Sequence, residues 1–332
     1  METVTVNIEN LCVPCYCACR HCLLSSKHYA TGIDYSRGEK LAKRFYDWLK
    51  IHRPEISGMY YIGYCMDTPE LTRWIRFNKH YNPWFNFLQF NGLNYRTSTD
   101  LTKLLRDVMG AGIEMIDLTF FGLASYHDRF AGRKGDFQWL LQILDAASAE
   151  GLAINGSICL TKENIDQIPE LIQLLRVSGL KKYILFLPHS KGRGKHLKHL
   201  RLTAEELNAL PEDILLHFMK TPHLTQEQWL SKDSLPLLEK RNLTLSLTPD
   251  NIEMLEGMTP EEMLEYIERK DDLYYHATPT AEELAQMYGD PSSHQLYRYR
   301  DLLLQWQQEY WQAHILTIDD MNDERYDFSI HI

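Results

Sequence analysis

The stretch Cys12-Val13-Pro14-Cys15-Tyr16-Cys17-Ala18-Cys19-Arg20-His21-Cys22 gathers five of the chain's seven cysteines into eleven residues. It follows Thr3-Val4-Thr5-Val6-Asn7-Ile8, whose alternation and β-branched residues predict a strand. Thiolates this close together are soft ligands that select an iron–sulfur cluster, zinc or copper(I). A cluster takes cysteine thiolates, and one short loop can wrap it. Zinc is the alternative. Cys12-x2-Cys15 and Cys19-x2-Cys22 have zinc-like spacing, but only three residues separate pairs that zinc usually draws from well apart. A disulfide framework fits poorly. The chain is long, its remaining cysteines are few, and its start, Met1-Glu2-Thr3-Val4, lacks signal-peptide shape.

Outward from this loop, short apolar strands alternate with amphipathic helices. Strands are predicted at 59–62, 86–90, 115–121, 153–160 and 183–187. Helices are predicted at 35–51, 70–81, 99–109, 137–150 and 162–178; the first carries Leu41, Phe45, Trp48 and Leu49 on one face. Such alternation predicts parallel βα units, six in all. In βα barrels the chemistry lies at the C-terminal ends of the strands, where the cysteine loop falls. The net charge of −10 argues against general nucleic-acid binding, and no apolar run is long enough to span a bilayer. Free cysteines without an export signal suit a reducing cytoplasm.

The run Cys15-x3-Cys19-x2-Cys22 resembles the cluster motif of the radical S-adenosylmethionine (SAM) enzymes. The resemblance implies a (β/α)6 partial barrel over residues 1–200. Residues 201–332 would then be a mainly helical extension that binds substrate or closes the barrel. It also implies that Cys15, Cys19 and Cys22 hold three irons of a [4Fe–4S] cluster, with SAM on the fourth. One electron, from a partner such as flavodoxin or ferredoxin, would split SAM into methionine and a 5′-deoxyadenosyl radical that removes a substrate hydrogen. Where the family usually has an aromatic residue before the third cysteine, this chain has His21, whose flat ring packs similarly. Cys12 and Cys17 read as bystanders.

The remaining candidates lie after the other strands. Gly63-Tyr64-Cys65-Met66-Asp67-Thr68-Pro69-Glu70 loosely matches the family's Gly-Gly-Glu-Pro-like turn, which implies that Gly63 and Asp67 meet the SAM amino group. Alternatively it is a plain turn in which Thr68 caps the next helix. Cys65 is either a hydrogen donor to a substrate radical or a buried, inert thiol. The segment His127-Asp128-Arg129-Phe130-Ala131-Gly132, followed by Gly135-Asp136-Phe137, is similar to one in the peptide-maturing branch. There Thr119 or Ser125 would meet the SAM ribose, and Arg129 would order the loop or hold a carboxylate. In the plainer reading Asp136 caps a helix and Arg129 pairs with a neighbour. Ile158 would lie near the adenine, while Asn164 is a turn residue or an N-cap. Gly192-Arg193 follows strand six within Lys181–Arg201, which has seven basic residues, three histidines and no acid. That patch suits an anionic substrate, the SAM carboxylate (through Arg193) or an electron-donor protein.

In the last third, βα units are predicted at 214–218 with 227–240 and at 243–247 with 261–269. A long amphipathic helix is predicted at 293–313 and an edge strand at 326–332. No cysteine follows Cys159, so cysteines of this third hold no auxiliary cluster, which favours chemistry completed with one cluster. The expected substrate is a ribosomally made peptide. A sugar or nucleotide is the alternative, and a zinc-binding interaction protein without turnover is the alternative of another class.

Overall fold

The structure is a computed structural model and describes residues 2–23, 32–63, 65–231, 240–314 and 321–325. Strands β1 (Glu2–Glu9), β2 (Tyr60–Tyr61), β3 (Phe87–Gln89), β4 (Met115–Phe120), β5 (Ala153–Cys159) and β6 (Lys182–Phe186) lie where the alternation places them. Between them run α1 (Tyr35–His52), α2 (Leu71–Tyr81), α3 (Ser98–Gly110), α4 (Ala124–Ala131) with α5 (Asp136–Ala149), and α6 (Ile168–Val177). Helix α1 starts where the Asp34 carboxylate accepts from the Arg37 amide, and α3 where the Thr97 hydroxyl accepts from the Asp100 amide. Helix α4 is an addition to the expected pattern, formed inside a stretch read as loop.

The strands form two four-stranded sheets, in the orders β2-β1-β7-β8 and β3-β4-β5-β6. Strand β7 (Lys240–Ser246) lies parallel to β1 in register from Glu2↔Lys240 to Glu9↔Ser246, and β8 (Met321–Arg325) is antiparallel to β7. The sheets do not close into a barrel among the described residues. Alternate residues of each strand face the helices and make one continuous apolar core, including Val6, Ile8, Phe45, Leu118, Phe120, Ile158 and Leu185. On β1, β3, β4, β5 and β7 the opposite parity carries polar residues. Thr5, Asn7 and Glu9 stand opposite Asn242, Thr244 and Ser246, and Gln89 opposite Asp117, itself opposite Asn155, with Thr119 opposite Ser157. Barrels without an interior ligand fill these positions with branched apolar residues.

The last third departs from its expected pattern in several places. Of the helix expected at 227–240, Gln226–Leu230 is helical among the described residues, and Lys240 already opens β7. Of residues 214–218, read as a strand, the first two end the short helix α8 (Glu212–Leu215), whose first turn carries two acids, and the next two form a turn. Phe218 keeps only an isolated parallel bridge to Leu185. The helix expected from residue 293 starts at 299, as α13 (Tyr299–His314). Gln295 and Tyr297 are instead drawn into antiparallel bridges with Thr203 and Leu224. The strand expected at 243–247 is part of β7, and the helix expected at 261–269 lies within α11 (Pro260–Ala277). The edge strand expected at 326–332 lies outside the described residues.

Helix α13 docks on the loop after β6. The buried Asp301 accepts from the Ser190 amide at 3.2 Å and from Arg298 Nε at 2.8 Å, and Arg201 Nε donates to the Leu296 carbonyl at 3.0 Å. Among the described residues, no helix is long and apolar enough to cross a membrane.

Asn164 shows how the strand ends are tied. Its amide donates to the carbonyls of Phe121 (2.6 Å) and Cys159 (2.7 Å), and its oxygen accepts from the Thr161 amide at 2.7 Å. It joins the ends of β4 and β5 and caps no helix through its side chain. Asn164→Ala is expected to strand these buried groups and lower stability by about 2–3 kcal/mol, read from urea unfolding.

Candidate functional site

The site is built at the C-terminal ends of the strands, around the loop that leaves β1. Backbone hydrogen bonds fix that loop residue by residue. The Val13 amide donates to Ile62 after β2 (3.1 Å), and Tyr16 to Gly92 after β3 (3.1 Å). Ala18 and Arg20 donate to Ala131 and Phe130 of α4, at 2.7 and 2.9 Å. From the loop after β6, the Arg193 amide donates to the Cys22 carbonyl at 2.9 Å and its guanidinium to the Cys19 carbonyl. Arg20 reaches Glu163, beyond β5, at 2.8 Å. The ends of five strands therefore hold one loop.

Cys15, Cys19 and Cys22 are half-buried, whereas Cys17 and Cys65 are buried. The neighbouring Cys17 thiol, then burial, pushes the Cys15 thiol far above its ordinary value. Gly92 has φ +77°, and a Cβ there would overlap the Cys15 sulfur. Only glycine combines that conformation with that approach. His21 sits among Phe121, Phe130 and Phe186, with ring centroids at 4.9, 5.8 and 6.3 Å. Burial, then the charges of His189 and Arg193, pushes the imidazole down to about 3. It thus packs as a neutral ring in an aromatic nest. Its Nδ1 and the Nε of Arg193 are buried without a hydrogen-bond partner among the described residues.

These features fit a cluster. Three half-exposed thiols stand on a loop whose backbone is hydrogen-bonded to neighbouring segments. One of the three sulfurs is seated against a glycine, and unsatisfied polar atoms lie beside the loop. Among the described residues, no three His, Cys, Asp or Glu side chains converge as a single-ion metal site.

The other sequence candidates are distributed unevenly. Gly63, at φ +129°, passes close to the Val13 carbonyl at the mouth. Asp67 accepts from the Asn94 amide at 2.7 Å and is paired with Arg96. Thr68 accepts from the Glu70 amide at 3.2 Å, just before α2. The Cys65 thiol donates to the Gly92 carbonyl at 2.9 Å, and burial, then the Cys15 thiol, pushes it up. Thr119 accepts from Gln89 at 2.8 Å, while its amide donates to Asn91 at 2.7 Å. Ser125 and Arg129 lie on the exposed face of α4 and bond each other at 3.1 Å. Ile158 shares the helix-facing parity of β5 and belongs to the apolar core. The structure thus gathers the three cysteines, Gly63, Cys65 and Arg193 around the loop. It sets Ser125, Arg129 and Ile158 away from it.

Sequence reading missed Gly92 and Asp117. Asp117 Oδ1 accepts from Ser157 Oγ at 2.9 Å and from the Asn155 amide, and burial raises its carboxyl against these donors. An aspartate in the otherwise apolar Met115-Ile116-Asp117-Leu118 was the available signal for it.

This is the fold of the radical SAM enzymes. The chain is similar to Streptococcus suis SuiB bound to its precursor peptide SuiA, at 13% identity and TM-score 0.51, over 78% of this chain and 62% of that one. It is also similar to native anSMEcpe with bound AdoMet and the Kp18Cys peptide, at 13% identity and TM-score 0.51, over 95% of this chain and 98% of that one. In sequence it matches the Fe-coproporphyrin III synthase of Methanosarcina barkeri (strain Fusaro / DSM 804), 25% identical over 107 residues, 32% of this chain. The match spans 26% of that relative's length. No family model matches the chain.

Gly92→Ala is expected to displace Cys15. After anaerobic reconstitution, iron per chain should fall several-fold below wild type while the circular dichroism spectrum is kept.

Proposed function

We propose that the chain is a radical SAM enzyme in which Cys15, Cys19 and Cys22 hold a [4Fe–4S] cluster that also takes the amino and carboxylate groups of SAM. The observation that carries this reading is the cysteine loop, with its x3 and x2 spacing, pinned across the mouth of the open βα sheet by the ends of five strands. When bound, the cluster supplies the electron that cleaves SAM to the hydrogen-abstracting radical.

The protein's own part is placement and exclusion. Arg193 clamps the Cys19 and Cys22 carbonyls and keeps the second and third thiols in register. Gly63 and the Asp67 turn line the rim beside Val13, where the backbone carbonyls of that turn would meet the SAM amino group. His21 and its aromatic nest close one side of the loop to water. The polar parity of β1, β3, β4, β5 and β7 gives the interior hydrogen-bonding groups that can orient a polar substrate. Buried Cys65 already donates to the Gly92 carbonyl, so its plainest part is to seat the loop after β3 beside Cys15.

The substrate class we infer is a ribosomally made peptide. Two likenesses support it, since SuiB and anSMEcpe were both captured with peptides. The strand-four segment His127–Gly132 supports it independently. We place the reaction in the cytoplasm, with a reducing protein docking on the basic loop at 191–201.

The test is 5′-deoxyadenosine formation. Reconstituted anaerobically with iron and sulfide and given SAM and dithionite, the wild type is expected to form it. The Cys15/Cys19/Cys22→Ala triple variant is expected not to. A well-assembled cluster without the nucleoside would overturn the enzyme reading. A mass change in a sugar or nucleotide, with none in any candidate peptide, would overturn the peptide reading alone.

A further inference from the structure

Cys17 lies two residues from Cys15 and two from Cys19, yet it is 2% exposed while both neighbours are half-exposed. Its thiol donates to Asp136 Oδ1 at 3.4 Å and also neighbours the thiols of Cys15 and Cys19. Asp136 opens α5 and is fully buried. Its other oxygen, Oδ2, meets His127 Nε2 at 3.1 Å, and Arg133 lies 3.5 Å from Oδ1. The Phe121 amide donates to His127 Nδ1 at 3.2 Å, so Nδ1 is the acceptor and Nε2 carries the hydrogen toward Asp136.

The donors therefore converge on Asp136, with the His127 ring held from the end of β4 on one side and the thiol between two motif cysteines on the other. The adjacent Asp128 holds the turn from the other side, accepting from the amides of Gly135 and Phe137. Gly132, at φ +65°, lets α4 approach Ala18 so closely that an added Cβ would sit 2.8 Å from the Ala18 Cβ. The loop segment 15–19 is thus held by a side-chain strut beneath it as well as by its backbone.

We propose that Cys17 is a positioning residue rather than a spare ligand, and that the buried relay His127–Asp136–Cys17 sets where Cys15 and Cys19 present their sulfurs. This rests on the cluster reading given above. It assigns His127 and Asp136 a task at the cysteine loop, and it gives Cys17 a part other than ligation. The thiol is buried and bonded to Asp136.

The relay needs two acceptor oxygens on residue 136, one for His127 and one for Cys17. Asp136→Asn keeps the size and removes one acceptor. Cys17→Ala removes the donor at the loop, and Cys17→Ser restores a donor without a thiol.

Two measurements on the full chain test the proposal. In the metal-free protein, iodoacetamide labelling resolved by peptide mass spectrometry is expected to modify Cys17 about ten-fold more slowly than Cys19. Asp136→Asn is expected to close that gap. In the reconstituted protein, Cys17→Ala and Asp136→Asn are expected to retain a four-iron cluster but release iron to a chelator about ten-fold faster than wild type, the usual scale for losing a supporting partner. Cys17→Ser is expected to stay within about two-fold of wild type, which a general packing defect would not produce.

Release from Cys17→Ala at the wild-type rate would overturn the proposal. So would a complete loss of cluster in both Cys17 variants with Asp136→Asn unaffected, because that marks Cys17 as a ligand. Should Cys17→Ala fail to fold, Asp136→Asn and the labelling rates decide. Should the wild type take up no cluster, the cluster reading fails, and the labelling gap still reports separately whether the strut exists.

Discussion

Three cysteines can share one cluster only if the backbone between them holds still, because each thiolate must meet its iron while its own chain is kept from collapsing onto the metal. Here that constraint is met by hydrogen bonds reaching the loop after β1 from outside it. Ile62, Gly92, the pair Phe130 and Ala131, and Arg193 come from four different βα units, and all grip backbone groups between Val13 and Cys22. A loop of this length would otherwise sample many conformations at a cost of about 1–2 kcal/mol per ordered residue. The parallel architecture concentrates the strand ends at one rim and supplies enough partners to offset it.

The same geometry divides labour between the two faces of each strand. The helix-facing parity holds the apolar core that stabilises the fold. The other parity is polar and pairs with itself across neighbouring strands, as in Thr5 with Asn242 at 2.6 Å and Asp117 with Ser157 at 2.9 Å. Polar groups in an interior cost stability unless they are satisfied. On β1, β3, β4, β5 and β7 they share one side, where they satisfy one another across neighbouring strands. Strand β7 completes this surface, although it arrives some 230 residues after β1. Residues after 200 therefore contribute to the sheet that carries the cysteine loop.

The strand-four segment holds its polar side chains in two different settings. Arg129, the residue in it most suggestive of chemistry, is exposed and bonded to Ser125. His127 and Asp128 are turned inward, and with Asp136 they brace the loop from below. Asp67 shows the same shift, since the carboxylate expected at the SAM amino group is engaged by Arg96 and the Asn94 amide.

From residues alone the order and type of the first six strands could be read, because period-2 apolar runs between helical faces are a local property. So could the grouping of Cys15, Cys19 and Cys22, which depends on residue type and spacing along one short loop. The sequence could not show that Gly92 lies against Cys15, that Ile158 faces the helices, or that Cys17 and Asp136 meet across 119 residues. It could not show that β7 joins β1, or that Ile214 and Leu215 end a helix rather than open a strand. Those are contacts between distant segments, and no local pattern encodes them. They are decided when parallel strands bring their C-terminal ends to one rim and the groups that happen to stand there must satisfy one another.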